Sequence, residues 1–150
     1  MLKIFFAQPV DFVDEDYLNR NFEKFRNSLI DLEVEIIAPY LSQSRLLIVK
    51  EFDSQKATSV VSSNLAELGQ CDVLILDMSD PRRQYIGMIF EMAFAFINNK
   101  IIIVFTDSSQ IKKRTFIYGT ANYICSSLED LRKYIAHILS SLHDPNGNRS

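Results

Sequence analysis

Val73-Leu74-Ile75-Leu76 is a continuous apolar run, the pattern of a parallel strand covered on both faces. A second such run, Ile101-Ile102-Ile103-Val104-Phe105, follows after a helical stretch over residues 85–99. Strand, helix and strand with short links require a right-handed crossover and helices packed on a parallel sheet. Toward the N-terminus, Ser54–Gly69 reads as a helix with Val60, Val61, Leu65 and Leu68 on one side and Gly69 as its C-cap. Residues 34–38, stopped by Pro39, and Leu2–Ala7, ended by Gln8-Pro9, read as two more strands. Between these lies a helix in which Tyr17, Leu18, Phe22, Phe25, Leu29 and Ile30 recur at helical spacing. Tyr123-Ile124-Cys125 and a helix over residues 128–142 complete the pattern. The run Leu46-Leu47-Ile48-Val49 suits a strand, a helical turn or a lid over a site.

The expected fold is α/β: a doubly wound, five-stranded parallel sheet in flavodoxin-like (Rossmann-like) order, with helices on both faces. One domain spans residues 1–142, and residues 143–150 form a flexible polar tail. In such sheets ligands bind beyond the carboxyl ends of the strands, so the loops after Ala7, Ala38, Leu76 and Phe105 should build the site.

Composition excludes several classes. The chain has 150 residues, 47% of them hydrophobic, and a formal charge of -3. This gives no basic footprint for a nucleic-acid polymer, and Lys112-Lys113-Arg114 reads as a solvated loop. No apolar run approaches a membrane span, and the N-terminus is apolar for too few residues to be a signal peptide. Cys71 and Cys125 are too far apart for a redox or metal motif and read as buried, reduced thiols. The expected location is therefore the cytoplasm.

Glu91 is the residue that demands an explanation. It falls early in a helix whose other residues, from Ile86 to Ile97, are apolar on nearly all sides. A carboxylate there either accepts hydrogen bonds from loop amides or an arginine, or serves as a nucleophile or electrostatic stabiliser beneath a ligand. Gly87, one turn earlier, would allow close approach of substrate or of a packing neighbour.

The string Asn64-Leu65-Ala66-Glu67-Leu68-Gly69-Gln70-Cys71-Asp72-Val73-Leu74-Ile75-Leu76 is followed by Gly87-x-x-x-Glu91-x-Ala93-x-Ala95 and by Lys100-Ile101-Ile102-Ile103. Together with the opening Lys3-Ile4-Phe5-Phe6-Ala7-Gln8-Pro9, this resembles the nucleoside 2-deoxyribosyltransferase family over roughly residues 2–138. The resemblance implies cleavage of the N-glycosidic bond of a deoxynucleoside or nucleoside monophosphate, with the sugar passed to another base or to water. It implies Glu91 as nucleophile and no metal or cofactor. Phe6, Ala7, Gln8, Asp77 and Gly87 would bind substrate. Thr115, in the segment after the fourth strand, would serve a neighbouring subunit's site in a homodimer or larger homo-oligomer.

Two positions depart from the family pattern. Asn64 stands where an acidic residue works on base or sugar, and an amide cannot transfer that proton. Tyr85 replaces an aspartate, though a phenol could donate to a base or stack on it. The first loop lacks the family's glycines and carries Asp11, while Arg82 and Arg83 could attract a phosphate. Two other readings stand beside the leading one: a Toll/interleukin-receptor-like NAD glycohydrolase, and a nucleotide-binding module of the same fold without turnover.

Overall fold

A computed structural model describes residues 1–10, 13–39 and 54–143; Asp11, the 46–49 run and residues 144–150 lie outside them. Strands β1 (Leu2–Ala7), β2 (Val34–Ile37), β3 (Val73–Asp77), β4 (Ile101–Phe105) and β5 (Tyr123–Cys125) form one sheet in the order β2-β1-β3-β4-β5. Every neighbouring pair is parallel, so the sheet has the expected flavodoxin-like order. The described helices are α1 (Glu15–Ser28), α2 (Ser54–Gly69), α3 (Ile86–Ile97), the short α4 (Ser109–Lys112) and α5 (Thr115–Thr120), and α6 (Leu128–His143). His143, assigned to the tail on sequence grounds, closes α6.

Alternation along the strands divides the core in two. Ile4, Phe6, Ile75 and Ile103 point to the face covered by α1 and α6, while Phe5, Leu74, Leu76, Ile102 and Val104 meet α2, α3 and the two short helices. On the first face Phe25 sits 4.6 Å from Phe6 and packs edge-on against Phe105 at 4.8 Å. These aromatic contacts fix α1 across three strands, adding about 1 kcal/mol each to the burial of the rings. Asp14 starts α1 by accepting from the Tyr17 amide at 3.1 Å. Leu18, Phe22, Phe25 and Leu29 are buried as their spacing predicts, but Tyr17 and Ile30 are exposed.

Helix ends explain two differences from the sequence expectation. No glycine among the described residues has a positive φ, so Gly69 is not a left-handed cap; its carbonyl accepts from Lys100 Nζ at 2.7 Å. A Cβ at Gly69 would lie 4.0 Å from Phe94 Cζ, which makes this a place where α2 approaches α3. The left-handed role falls to Asn99 after α3, at φ 54°. Its amide bonds Phe96 O at 3.2 Å and the Lys100 amide bonds Ala95 O at 2.9 Å, the paired pattern of a Schellman turn. That turn delivers the chain directly into β4.

Asn99→Gly should leave stability unchanged or slightly raised, whereas Asn99→Val should cost about 1–2 kcal/mol, because a β-branched residue is strained at positive φ. Urea midpoints of the two variants against the parent check this.

Candidate active site

β1 lies between β2 and β3. The chain leaves β1 for α1 on one face of the sheet and leaves β3 for α3 on the other. The two loops diverge and open a crevice at the carboxyl ends of the strands. A cavity of about 870 Å³ occupies it. Phe6, Ala7, Gln8 and Pro9 contribute from β1 and its loop, Val60, Asn64 and Leu65 from α2, Arg82, Arg83 and Gln84 from the loop after β3, and Tyr85, Gly87, Phe90 and Glu91 from the start of α3.

Glu91 is the one carboxylate among the described lining residues. Its only polar partner among the described residues is Asn64, whose Nδ2 stands 3.5 Å from Glu91 Oε1, the outer limit of a hydrogen bond. No arginine or lysine pairs with it among the described residues, so an ion-pair explanation for this carboxylate finds no support there. Desolvation pushes its pKa from 4.5 to about 7, and the Asn64 amide only partly opposes that rise. The helix thus presents a carboxyl group that is half ionised near neutral pH and uncompensated by charge.

Asn64 brings its own unsatisfied atom: Oδ1 is buried without a partner among the described residues. Tyr85, the N-cap of α3, adopts a left-handed conformation at φ 56° and makes no side-chain cap bond. Its hydroxyl instead donates to Asp80 O at 2.7 Å and accepts from the Asp80 amide at 2.9 Å. Burial, the largest cause, pushes that hydroxyl up to about 12. Tyr85 therefore latches the loop to the helix, and its ring rather than its proton is offered to the cavity.

Three polar side chains knit the base of the crevice. Asn21, on α1, donates from Nδ2 to Gln8 Oε1 at 2.8 Å and to Asp77 Oδ2 at 2.7 Å. Gln8 Nε2 donates in turn to Leu18 O at 3.1 Å, and Asp77 Oδ1 accepts from the Ser79 amide at 3.2 Å. Gln8 and Asp77 are both buried. Asp77 is absent from the cavity lining and Gln8 spends its amide group inward, so the two fix the loops after β1 and β3. On the rim Arg82 grips Asp80 with two bonds of 2.9 Å, and Arg83 Nε stands 3.6 Å from the same carboxylate.

The structure therefore brings Glu91, Asn64, Tyr85, Phe6, Ala7, Gln8 and Gly87 together around one cavity. A Cβ at Gly87 would meet nothing within 4 Å, so open space rather than packing surrounds it. Thr115 is exposed at the start of α5 and lies outside the lining of its own chain's cavity. Sequence reasoning missed Asn21; Val60, Val61 and Leu65, read as one side of their helix, line the cavity, and only Leu68 of α2 is fully buried. Lys112 and Lys113 border a separate cleft of about 500 Å³ beside Tyr118. Among the described residues no cluster of His, Cys, Asp and Glu could hold a metal ion, and no helix is long and apolar enough to cross a membrane.

A family model for nucleoside 2-deoxyribosyltransferase matches residues 4–138. The chain belongs to that family. Membership makes the protein an enzyme of the deoxyribosyltransferase and N-glycosidase kind. Among solved structures, the 2-deoxyribosyltransferase of the psychrotolerant bacterium Bacillus psychrosaccharolyticus is similar at 21% identity and a TM-score of 0.69, covering 88% of this chain and 91% of its own. A conserved protein from Enterococcus faecalis V583 aligns at 20% identity and a TM-score of 0.61, over 92% and 99%. The CMP N-glycosidase of Clostridium botulinum aligns at 14% identity and a TM-score of 0.56, over 91% and 98%. At these identities the likeness speaks for the fold. No curated protein sequence matches the chain.

Glu91 has consequences for stability as well as chemistry. Its folded pKa lies above the unfolded value, so between pH 4.5 and about 7 the folded state holds a proton that the unfolded state has lost, and stability falls as pH rises through that window. At about 1.4 kcal/mol per tenfold change in proton affinity, the loss is on the order of 3 kcal/mol. Glu91→Gln should therefore be more stable than the parent at pH 8 and indistinguishable from it below pH 4.5. Denaturation midpoints across that range measure the difference.

Proposed function

We propose that the protein cleaves the N-glycosidic bond of a nucleoside or nucleoside monophosphate, with the Glu91 carboxylate as nucleophile. The observation that supports this best is a carboxylate in the wall of the crevice cavity that has no cation partner among the described residues, in a chain of this family. In the first step a Glu91 oxygen bonds to C1′ as the bond from C1′ to the base nitrogen breaks; the electron pair leaves with that nitrogen, and the departing base takes a proton from solvent water. In the second, the oxygen of water or a ring nitrogen of another base attacks C1′ and loses its proton, and the ester opens to restore the carboxylate. Water yields free sugar; a base yields a new nucleoside.

Electrostatics favour this direction of events. Positive charge growing on the sugar stabilises the ionised carboxylate, whereas burial in the cavity wall penalises it. The interaction is thus stronger in the transition state than in the free protein, the condition for catalysis. Neither Asn64 nor Tyr85, its hydroxyl held by Asp80, supplies the proton that the leaving base needs in this geometry. That observation leaves protonation of the departing base to solvent water.

The assembly we propose is a homo-oligomer with sites completed across subunits. Phe116 and Tyr118 on α5 are 76% and 78% exposed, and Phe90 and Ile97 on α3 are also exposed, so a second copy would cover a broad apolar face and could carry Thr115 to the neighbouring cavity. The free, buried thiols of Cys71 and Cys125 support a reducing, cytoplasmic setting.

Glu91→Gln should keep the fold and nucleoside binding while lowering base release by several orders of magnitude, read by chromatography of the freed base; undiminished release would overturn the mechanism. In the parent, kcat/KM should climb with pH and level off above about 7, since the nucleophile is the ionised form. Phe116→Glu should dissociate the assembly and depress turnover together, measured by light scattering beside the same assay.

A further inference from the structure

Arg82 and Arg83 stand together on the rim of a cavity that is otherwise largely apolar. A neutral nucleoside has no group that calls for two guanidinium ions. In the free protein their partner among the described residues is Asp80: bidentate to Arg82 through Nε and Nη2, and 3.6 Å from Arg83. The Arg82 side chain is 87% exposed, so this pairing is solvated, screened by salt and readily exchanged. A fork that accepts a carboxylate edge in this way also matches the oxygen spacing of a phosphate monoester.

Among the described residues the other end of the crevice offers an anion little. Pro9 has no N–H, and the Gln8 amide group is turned toward Leu18 and Asn21. Beside the arginines the start of α3 is different. Tyr85 makes no side-chain cap, and the Ile89 amide is the one that reaches Tyr85 O, which leaves the amides of Ile86, Gly87 and Met88 without partners inside the helix. At 1.5 Å rise per residue, Glu91 stands roughly 9 Å along the helix from Tyr85. That spacing suits an anomeric carbon held against the carboxylate with a 5′-phosphate held against the arginines.

We infer that the substrate of this cavity is a nucleoside 5′-monophosphate and that Arg82 and Arg83 bind its phosphate by releasing Asp80. The inference rests on the N-glycosidase reading for the sugar and base, and adds the phosphate site. Asp80 acts as a resident stand-in for the phosphate. The Arg82 side-chain bond, with further help from the Arg82 amide, holds Asp80 at about 2, so the competitor is ionised throughout the physiological range. A neutral nucleoside leaves the ion pairs intact; a monophosphate replaces one anion with another of higher charge.

The test compares base release from the common ribo- and deoxyribonucleosides with release from their 5′-monophosphates, for the parent, for Arg82→Gln/Arg83→Gln and for Asp80→Asn. The parent should favour a monophosphate over its nucleoside by at least about tenfold in kcat/KM, and the preference should shrink as salt is raised. The double arginine variant should lose that preference. Asp80→Asn keeps an oxygen for the Arg82 amide but removes the competing charge, and should lower KM for the monophosphate. A parent that prefers the nucleoside, or a double variant that retains the monophosphate preference, overturns the assignment. If no substrate releases base, the N-glycosidase reading fails by itself, and calorimetry with Glu91→Gln still decides the phosphate site. Tighter binding of monophosphate than of nucleoside, abolished by the arginine substitutions, supports the site; equal binding overturns it.

Discussion

The pairing of β1 with β3, past the strand that follows β1 in sequence, is the constraint on which the site depends. It is anchored at the amino end, where the Lys3 amide bonds Asp72 Oδ2 and the Asp72 amide bonds Lys3 O, both at 2.9 Å. From that anchor the two strands run in register to Ala7 and Leu76, and beyond them the chain departs to opposite faces. The crevice is what this divergence leaves open. Asn21 then crosses beneath it, and one amide group with two hydrogens satisfies an oxygen of Gln8 and an oxygen of Asp77. A polar network so fully used gives the crevice a fixed floor in an interior where any unmade bond is costly.

Glu91 illustrates the opposite choice. A helix that is apolar around most of its circumference holds a carboxylate with, among the described residues, one long hydrogen bond, next to an asparagine oxygen that has none there. Neither group improves the fold, and each would be cheaper as an apolar residue. Proteins tolerate such local costs where the group meets a reacting partner, and stability is commonly surrendered at those places. The protonation state of Glu91 is therefore set by its burial, with Asn64 only partly opposing it.

Much of this was legible in the sequence because burial on both faces leaves continuous apolar runs. Residues 73–76 and 101–105 could be only buried strands or short helical pieces, and their length and flanking residues decided between these. Glu91 was legible by contrast with its neighbours. Tyr85 as a latch was not, since an aromatic residue at positive φ is stabilised by backbone groups of Asp80 that no local pattern announces. Asn21 was hidden because a helix spacing shows only which face a residue occupies, not which distant loops converge there. Val60, Val61 and Leu65 carried the same apolar signal as core residues, and sequence periodicity cannot tell a wall of the core from a wall of a cavity.

The Tyr85 latch divides labour along the chain. Asp80 and Tyr85 bind each other through backbone and phenol atoms, so the residues between them, Pro81 to Gln84, form a small arc fastened at both ends. Its side chains can change without loosening the helix that carries Glu91, and Arg82, Arg83 and Gln84 of the arc line the cavity. The rim of the cavity and the helix that carries Glu91 are thus separately replaceable pieces of one short segment. A lineage using this scaffold could change the groups at the mouth of the cavity by rewriting four residues while the helix beneath them stayed in place.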